Sequence, residues 1–390
     1  MLLGARQVGK STLVQELLEP RGASRTYLTL DDRNVLAAAQ RDPMGFVSGI
    51  TGPVTIDEVQ RAPEIFSTLK ACVDRNRLPG QFILTGSANV LLLPGVADYL
   101  VGRMETFVLW PLSQGEIGGT DEKFVDAAFR RQFEQGKSYK RRTDIVQQVT
   151  RGGYPEVVRR ETVSRRDQWF HSYVDTMLSR DVRDLANIEK LNELPQLLSL
   201  LAARVGSLSN FSELSRTSAL PQSTLKRYVA LFQHLFLIKQ IPAWAGNFSK
   251  RVAKAPKLYF SDTALCCYLL GLDGDGLAAN SRALGAIFEN FIVMELCKQI
   301  SWSETQPSMF HFRAHDQTEV DIVLENRASK IVGIEVKLAD ELSPKMWQGL
   351  ARLRDETADK FVTGVVLYSG NTELRVDKNI WAVPIARLWA

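Results

Sequence analysis

The residues with the clearest chemical reading stand at the start of the chain. Gly4, Gly9, Lys10 and Ser11, in GARQVGKST, fit the spacing GxxxxGK[ST]. Glycines in such a loop let successive backbone N–H groups turn toward phosphate with no side chain in the way. Lys10 is then placed to reach the β- and γ-phosphates of a nucleoside triphosphate. Ser11 can give its hydroxyl to Mg2+, and Thr12 completes the cofactor-binding stretch. A second piece is PVTIDEVQ, an apolar run that ends in two acids. Asp57 at the end of a core strand can hold Mg2+, often through water, and Glu58 can orient or activate the attacking water. A third is FILTGSAN, whose Thr85, Ser87 and Asn89 fall at another strand tip, where a polar side chain can sense the γ-phosphate. A plain Gly-Ser-Asn turn is the other reading there. Arg103, in LVGRME, is a candidate for an arginine that reaches a neighbouring subunit's phosphates.

A separate set of chemistry-bearing residues lies near the other end, in EVDIVLE and IEVKL. Glu335 and Lys337 are two apart and point to one face of a strand, and Asp321 falls on the neighbouring strand. Glu289, in IFENFIVMEL, supplies a further carboxylate. Converging carboxylates and a lysine can hold a divalent metal, activate water and stabilise developing charge on phosphorus. A salt-bridged hairpin is the plainer alternative, worth little at a surface and costly if buried. His171, His234, His311 and His315 lie in different contexts, and His311 and His315, near the hairpin, read as ordinary strand and loop residues.

These residues need elements to position them. The first third alternates strands (LLG, TYLTL, PVTID, QFILTG, ETFVLW) with the helical stretches STLVQELLE and EIFSTLKACVDRN. That order predicts a mostly parallel sheet covered by helices. Residues 122–166 carry 12 Lys and Arg against 6 Asp and Glu, the composition of a solvated connector or a nucleic-acid stripe. RGGYPEVVRR punctuates it. A helix, a turn and a longer helix then run through LSNFSELSRTSALPQSTLKRYVALFQHLFLIKQI, followed by the extended APKLYFSD. This is the layout of a winged helix. Its second helix, Gln222–Leu237, has an apolar face through Leu225, Val229, Phe232 and Phe236. Its polar face carries Gln222, Ser223, Lys226 and Arg227, which are suited to DNA or to a protein partner. From about Leu284 a helix, short strands at FHFRA, EVDIVLE and IVGIEVKLA, a helix around Trp347–Asp355 and a strand at FVTGVVLYS make a second α/β unit.

GARQVGKSTL, TIDEVQRAPEIF, FILTGSAN, VGR and VLWPLSQGE, in that order, resemble the prokaryotic AAA-type ATPases that carry a C-terminal domain of unknown function. The resemblance implies an AAA-type core with Lys10 and Ser11 on phosphate and Mg2+. It also implies Asp57 and Glu58 as the acidic motif, Ser87 or Asn89 as sensor, and Arg103 as finger. The C-terminal residues resemble the PD-(D/E)xK, restriction-endonuclease-like family, with Glu289, Asp321, Glu335 and Lys337 on its helix glutamate, aspartate and ExK; Val320 stands where that family has proline. The expected fold is therefore α/β. An ATP-binding domain spans 1–120, a basic helical connector 121–205, a winged-helix-like domain 206–280 and a restriction-endonuclease-like domain 281–390. Only Met1, Leu2 and Leu3 precede the loop, so its strand is expected to begin in an upstream segment that the given start omits.

Composition narrows the classes. The chain has 390 residues, 45% of them hydrophobic and 24% charged, in the range of soluble globular domains. It shows no apolar run of membrane-spanning length and no signal peptide. Cys72, Cys266, Cys267 and Cys297 form no metal-ligand spacing and read as reduced core thiols of a cytoplasmic protein. A net charge of +4 neither requires nor excludes nucleic acid. The expected function is Mg2+-dependent ATP hydrolysis coupled to a conformational change on DNA or a protein partner, with a homo-oligomer if Arg103 acts in trans. Its rivals are an ATP-driven, metal-dependent DNA nuclease and a non-catalytic interaction protein switched by nucleotide.

Overall fold

The computed structural model describes residues 1–17, 25–89, 96–133, 141–181, 191–314 and 316–389; His315 lies outside them. The chain forms two compact units. One comprises Met1–Pro111 with Ala230–Leu237, the other Leu112–Val229 with Ile238–Ala390.

The first unit is built on a five-stranded sheet in the order β2-β3-β4-β1-β5, with every pairing parallel. Its strands are β1 (Leu2–Leu3), β2 (Thr26–Thr29), β3 (Val54–Asp57), β4 (Phe82–Gly86) and β5 (Phe107–Val108). All four residues of β3 are buried, as expected of an inner strand covered on both faces. β1 is two residues long and pairs on both sides, Leu2 with Thr85 and Phe107, Leu3 with Gly86 and Val108. The helix Ile65–Arg75 buries Ile65, Phe66 and Leu69, each worth about 2 kcal/mol of apolar burial. Two helices absent from the sequence reading, Arg33–Arg41 and Pro43–Ser48, follow β2. Asp32 and Asp42 cap them, accepting from the backbone N–H of Asn34 and Gly45 respectively.

The second unit carries a six-stranded mixed sheet in the order β12-β13-β11-β10-β9-β8. These strands are β8 (Ser308–Arg313), β9 (Glu319–Glu325), β10 (Ile331–Lys337), β11 (Phe361–Tyr368), β12 (Leu374–Asp377) and β13 (Ile380–Pro384). The helix Gln348–Thr357 packs Leu350 and Leu353 into a core with Val320, Val323, Ile331, Val366 and Ile380. The 22-residue helix Ser281–Trp302 is buried along most of its middle, from Ile287 to Gln299. Ahead of it in sequence lie the helix Phe211–Ser218, the helix Gln222–His234, whose residues from Ala230 on fall in the first unit, and an antiparallel pair, β6 (Ile238–Ile241) with β7 (Lys257–Phe260). The helix expected over Gln222–Leu237 thus stops at His234, and strand β6 begins at Ile238, with Ile238 and Ile241 buried as strand neighbours of β7. Leu225, Val229 and Phe232 are buried as the helical spacing requires, while Gln222, Ser223, Lys226 and Arg227 are exposed.

RGGY is more than punctuation. The Gly153 N–H donates to buried Asp262, whose other oxygen caps the helix Thr263–Leu269, and the Gly153 carbonyl accepts from Leu112. All four cysteines are free thiols, and Cys266, Cys267 and Cys297 are buried. Among the described residues no helix is long and apolar enough to cross a membrane.

Two buried titratable groups set opposed pH slopes. Burial pushes Glu122 up to about 7, although Ser113 and the Gly115 N–H hydrogen-bond to it. The folded state therefore keeps a proton that the unfolded chain releases. This contribution is whole below the ordinary glutamate pKa and is lost as pH rises through 7. Burial pushes His311 down to about 4, so its contribution is whole above the ordinary histidine pKa and is lost as pH falls through 4. Glu122→Gln is expected to stabilise the protein at pH 8 by on the order of 2 kcal/mol and to change nothing at pH 4.5. Equal urea midpoints for variant and parent at pH 8 would contradict this.

Candidate functional site

The phosphate-loop residues and the acidic motif meet at the carboxyl ends of the parallel strands, the end at which open α/β sheets bind ligands. The loop leaves β1 at Gly4. A Cβ there would lie 2.2 Å from the Leu109 carbonyl oxygen, so only glycine fits between β1 and the segment after β5. Gly9 has φ 99° and opens the helical turn Lys10–Thr12, so the second glycine is also conformational. Lys10 is 5% exposed, and its ammonium donates to the carbonyls of Gly4 and Ala5 at 3.0 and 2.9 Å, which holds it over the loop.

β4 lies between β1 and β3, so the loop and Asp57 face each other across its tip. Ser11 Oγ donates to Asp57 Oδ2 at 3.1 Å, and Thr85 Oγ1 donates to Asp57 Oδ1. Ser11 and Asp57 are thus the hydroxyl and carboxylate pair that the chemistry of an ATP-bound Mg2+ requires, and they fit that ion. Glu58 follows in a left-handed conformation at φ 61°. Its carboxylate accepts from Ser87 Oγ at 2.9 Å and from Gln60 Nε2, which also donates to Ser87 Oγ at 2.9 Å. Ser87 therefore touches the acid expected to work on water. The Asn89 backbone N–H donates to the His234 carbonyl at 2.9 Å, and its buried Oδ1 has no partner among the described residues.

Two participants escaped the sequence reading. Tyr27 donates its hydroxyl to Asp57 Oδ2 at 2.5 Å; burial and that carboxylate hold the phenol above its ordinary pKa, so it stays a donor. The alternating TYLTL gave only a strand signal. Gln60 was passed over because it sits in a three-residue helical turn that nothing in DEVQRAP announces. Arg103 is not brought to the loop. It pairs bidentately with Asp74, at 2.5 and 2.8 Å, and lines a cleft with Met1, Gly80, Phe82 and Phe107 at the amino-terminal ends of the strands.

In the second unit the structure does gather Glu289, Asp321, Glu335 and Lys337. Ile334 pairs with Ile322, which sets Glu335 opposite Asp321. Asp321 accepts from the Val336 N–H at 2.9 Å, and Lys337 Nζ lies 2.8 Å from Glu335 and 3.9 Å from Asp321. A residue absent from the sequence reading joins them: Lys257, on β7, lies 2.9 Å from Glu289, 3.8 Å from Glu319 and 4.0 Å from Asp321. Among the described residues no group of three or more His, Cys, Asp or Glu side chains is arranged to hold a metal ion.

Comparison with known proteins shows what the parts of the chain are similar to. Residues 1–118 match the family model of an AAA domain. Residues 142–276 match a domain of unknown function (DUF8612) and residues 284–388 another (DUF4143). An uncharacterized protein of Mycobacterium bovis and one of Mycobacterium tuberculosis are each 28% identical over 387 residues, 98% of this chain and 79% of theirs. A solved structure of Thermotoga maritima RuvB T158V overlaps 62% of this chain and 81% of that one at 14% identity and a TM-score of 0.28, too slight to bear on the fold.

Proposed function

We propose that the chain binds ATP with Mg2+ at the Gly4–Thr12 loop and hydrolyses it. The observation that carries this reading is the hydrogen bond from Ser11 to Asp57 beside the buried Lys10. In this reading Lys10 turns from the loop carbonyls to the β- and γ-phosphates, and the loop N–H groups and the start of the helical turn face the remaining oxygens. Ser11 and Asp57 hold Mg2+, which neutralises charge on the phosphates. Glu58 orients the attacking water, and Ser87, hydrogen-bonded to Glu58, couples that acid to the γ-phosphate. Arg103 contributes only from a neighbouring copy, after leaving Asp74, so turnover would rise with assembly. Phosphate release from ATP that needs Mg2+ and stops with EDTA tests the reading; stoichiometric ATP binding with no release would favour a nucleotide-switched binding protein.

The finer part of the proposal is coupling to duplex DNA. It is supported by the exposed polar face Gln222, Ser223, Lys226 and Arg227 at the start of the helix Gln222–His234. That face would contact phosphates and a groove, as the second helix of a winged helix does. Duplex DNA is expected to bind in a salt-dependent manner, and Lys226→Glu with Arg227→Glu to abolish it. Binding that ignores both salt and these substitutions would remove the DNA role.

A further inference from the structure

The carboxylates of the second unit sit where a metal-dependent nuclease would hold its ion, but their surroundings do not suit one. Glu289 Oε1 already receives two donors, Lys257 Nζ at 2.9 Å and the Tyr259 hydroxyl at 2.6 Å. Asp321 faces two ammonium groups, Lys257 on one side and Lys337 on the other, and its Oδ2 is taken by the Val336 N–H. Lys257 is 5% exposed and is fixed on β7, where its backbone pairs with Ile241 and bridges Leu208. A side chain so placed has little freedom to swing clear.

We propose that the Lys257 ammonium is the resident cation of this centre, standing among Glu289, Glu319 and Asp321 in place of a divalent metal, and that the second unit therefore does not cut nucleic acid by metal-assisted hydrolysis. Charge bookkeeping supports this. Burial alone would lower the pKa of Lys257, yet Glu289, Asp321 and Glu319 outweigh it and hold the pKa above its ordinary value, so the cation is permanent. Burial and then the neighbouring Asp321 raise both Glu289 and Glu335. Their anionic forms therefore depend on the two lysines already present. A divalent ion would meet repulsion from both ammonium groups at close range in a site of low dielectric. The fold supplies Lys257 from a segment that the short ExK pattern does not include, which is why the pattern alone suggested a metal. This inference is independent of ATP hydrolysis in the first unit.

The test is Mn2+ binding, followed by loss of the free-ion electron paramagnetic resonance signal, on nucleotide-free full-length chain. Wild type and Lys257→Met are each compared with the same protein carrying Asp321→Asn, so that only ions held through Asp321 are scored. Wild type is expected to show no Asp321-dependent Mn2+ binding up to about 1 mM. Lys257→Met is expected to gain one such site, on the order of 100-fold tighter. Asp321-dependent binding by wild type overturns the proposal, as does a folded Lys257→Met with no gain. Should Lys257→Met fail to fold, Lys257→Gln takes its place, and the wild-type comparison with Asp321→Asn still decides.

Discussion

Glu58→Gln is expected to keep ATP affinity within about threefold of wild type and to lower turnover by about 100-fold or more. The substitution preserves the shape of a side chain that sits at φ 61° between Ser87 and Gln60, and removes only its negative charge. A group that orients or deprotonates water acts in the step after binding, so the loss belongs in kcat. Ser87→Ala should move in the same direction by less, because it removes one of the two hydrogen bonds that aim the carboxylate. The measurement is steady-state phosphate release beside equilibrium nucleotide binding. Unchanged turnover in Glu58→Gln would take the water-activating role from this residue and leave the loop as a binding site.

The second large effect is structural. In Gly153→Ala the new Cβ would sit 2.1 Å from the Leu112 carbonyl oxygen and 3.1 Å from its carbonyl carbon and nitrogen. The obstacle is backbone, so no side chain can turn away. Relief has to come from shifting either the Gly153–Leu112 hydrogen bond or the Asp262 cap that Gly153 also serves. A loss of about 3 kcal/mol or more is expected in urea unfolding. Gly285→Ala is the control. It lies exposed within the helix Ser281–Trp302 with nothing within 4 Å of the added Cβ, and it should gain about 0.5–1 kcal/mol from helix propensity. Equal effects at the two positions would show that close approach at Gly153 is not what selects glycine.

What could be read from the sequence follows from how local each signal is. The phosphate loop was legible because backbone N–H groups and Lys10 must approach one ligand within eight residues, which leaves a short pattern. The acids after β3 were legible because a parallel inner strand is apolar along its length and then stops. That Ser11 would meet Asp57 depended on β4 inserting between β1 and β3, a strand order that no local pattern encodes. Tyr27 and Lys257 stayed hidden for the same reason. Each lies in a four-residue strand, and its partner lies about 30 residues away in sequence: Asp57 for one, Glu289 for the other. The edge strand β12 and its neighbour β13 were missed because ELRVDKNIWAV mixes charge and apolar residues without a steady period. The helices Arg33–Arg41 and Pro43–Ser48 start from aspartate caps whose meaning depends on the turn that precedes them.

Whether Gly4–Thr12 holds the phosphates of ATP is decided by equilibrium binding of ATP with Mg2+ to wild type and to Lys10→Ala. The Lys10 ammonium is buried and held over the loop by the Gly4 and Ala5 carbonyls. Binding by wild type at one ATP per chain, weakened about 100-fold or more in a folded Lys10→Ala, is the predicted result. Equal affinity in the two proteins would place the nucleotide elsewhere.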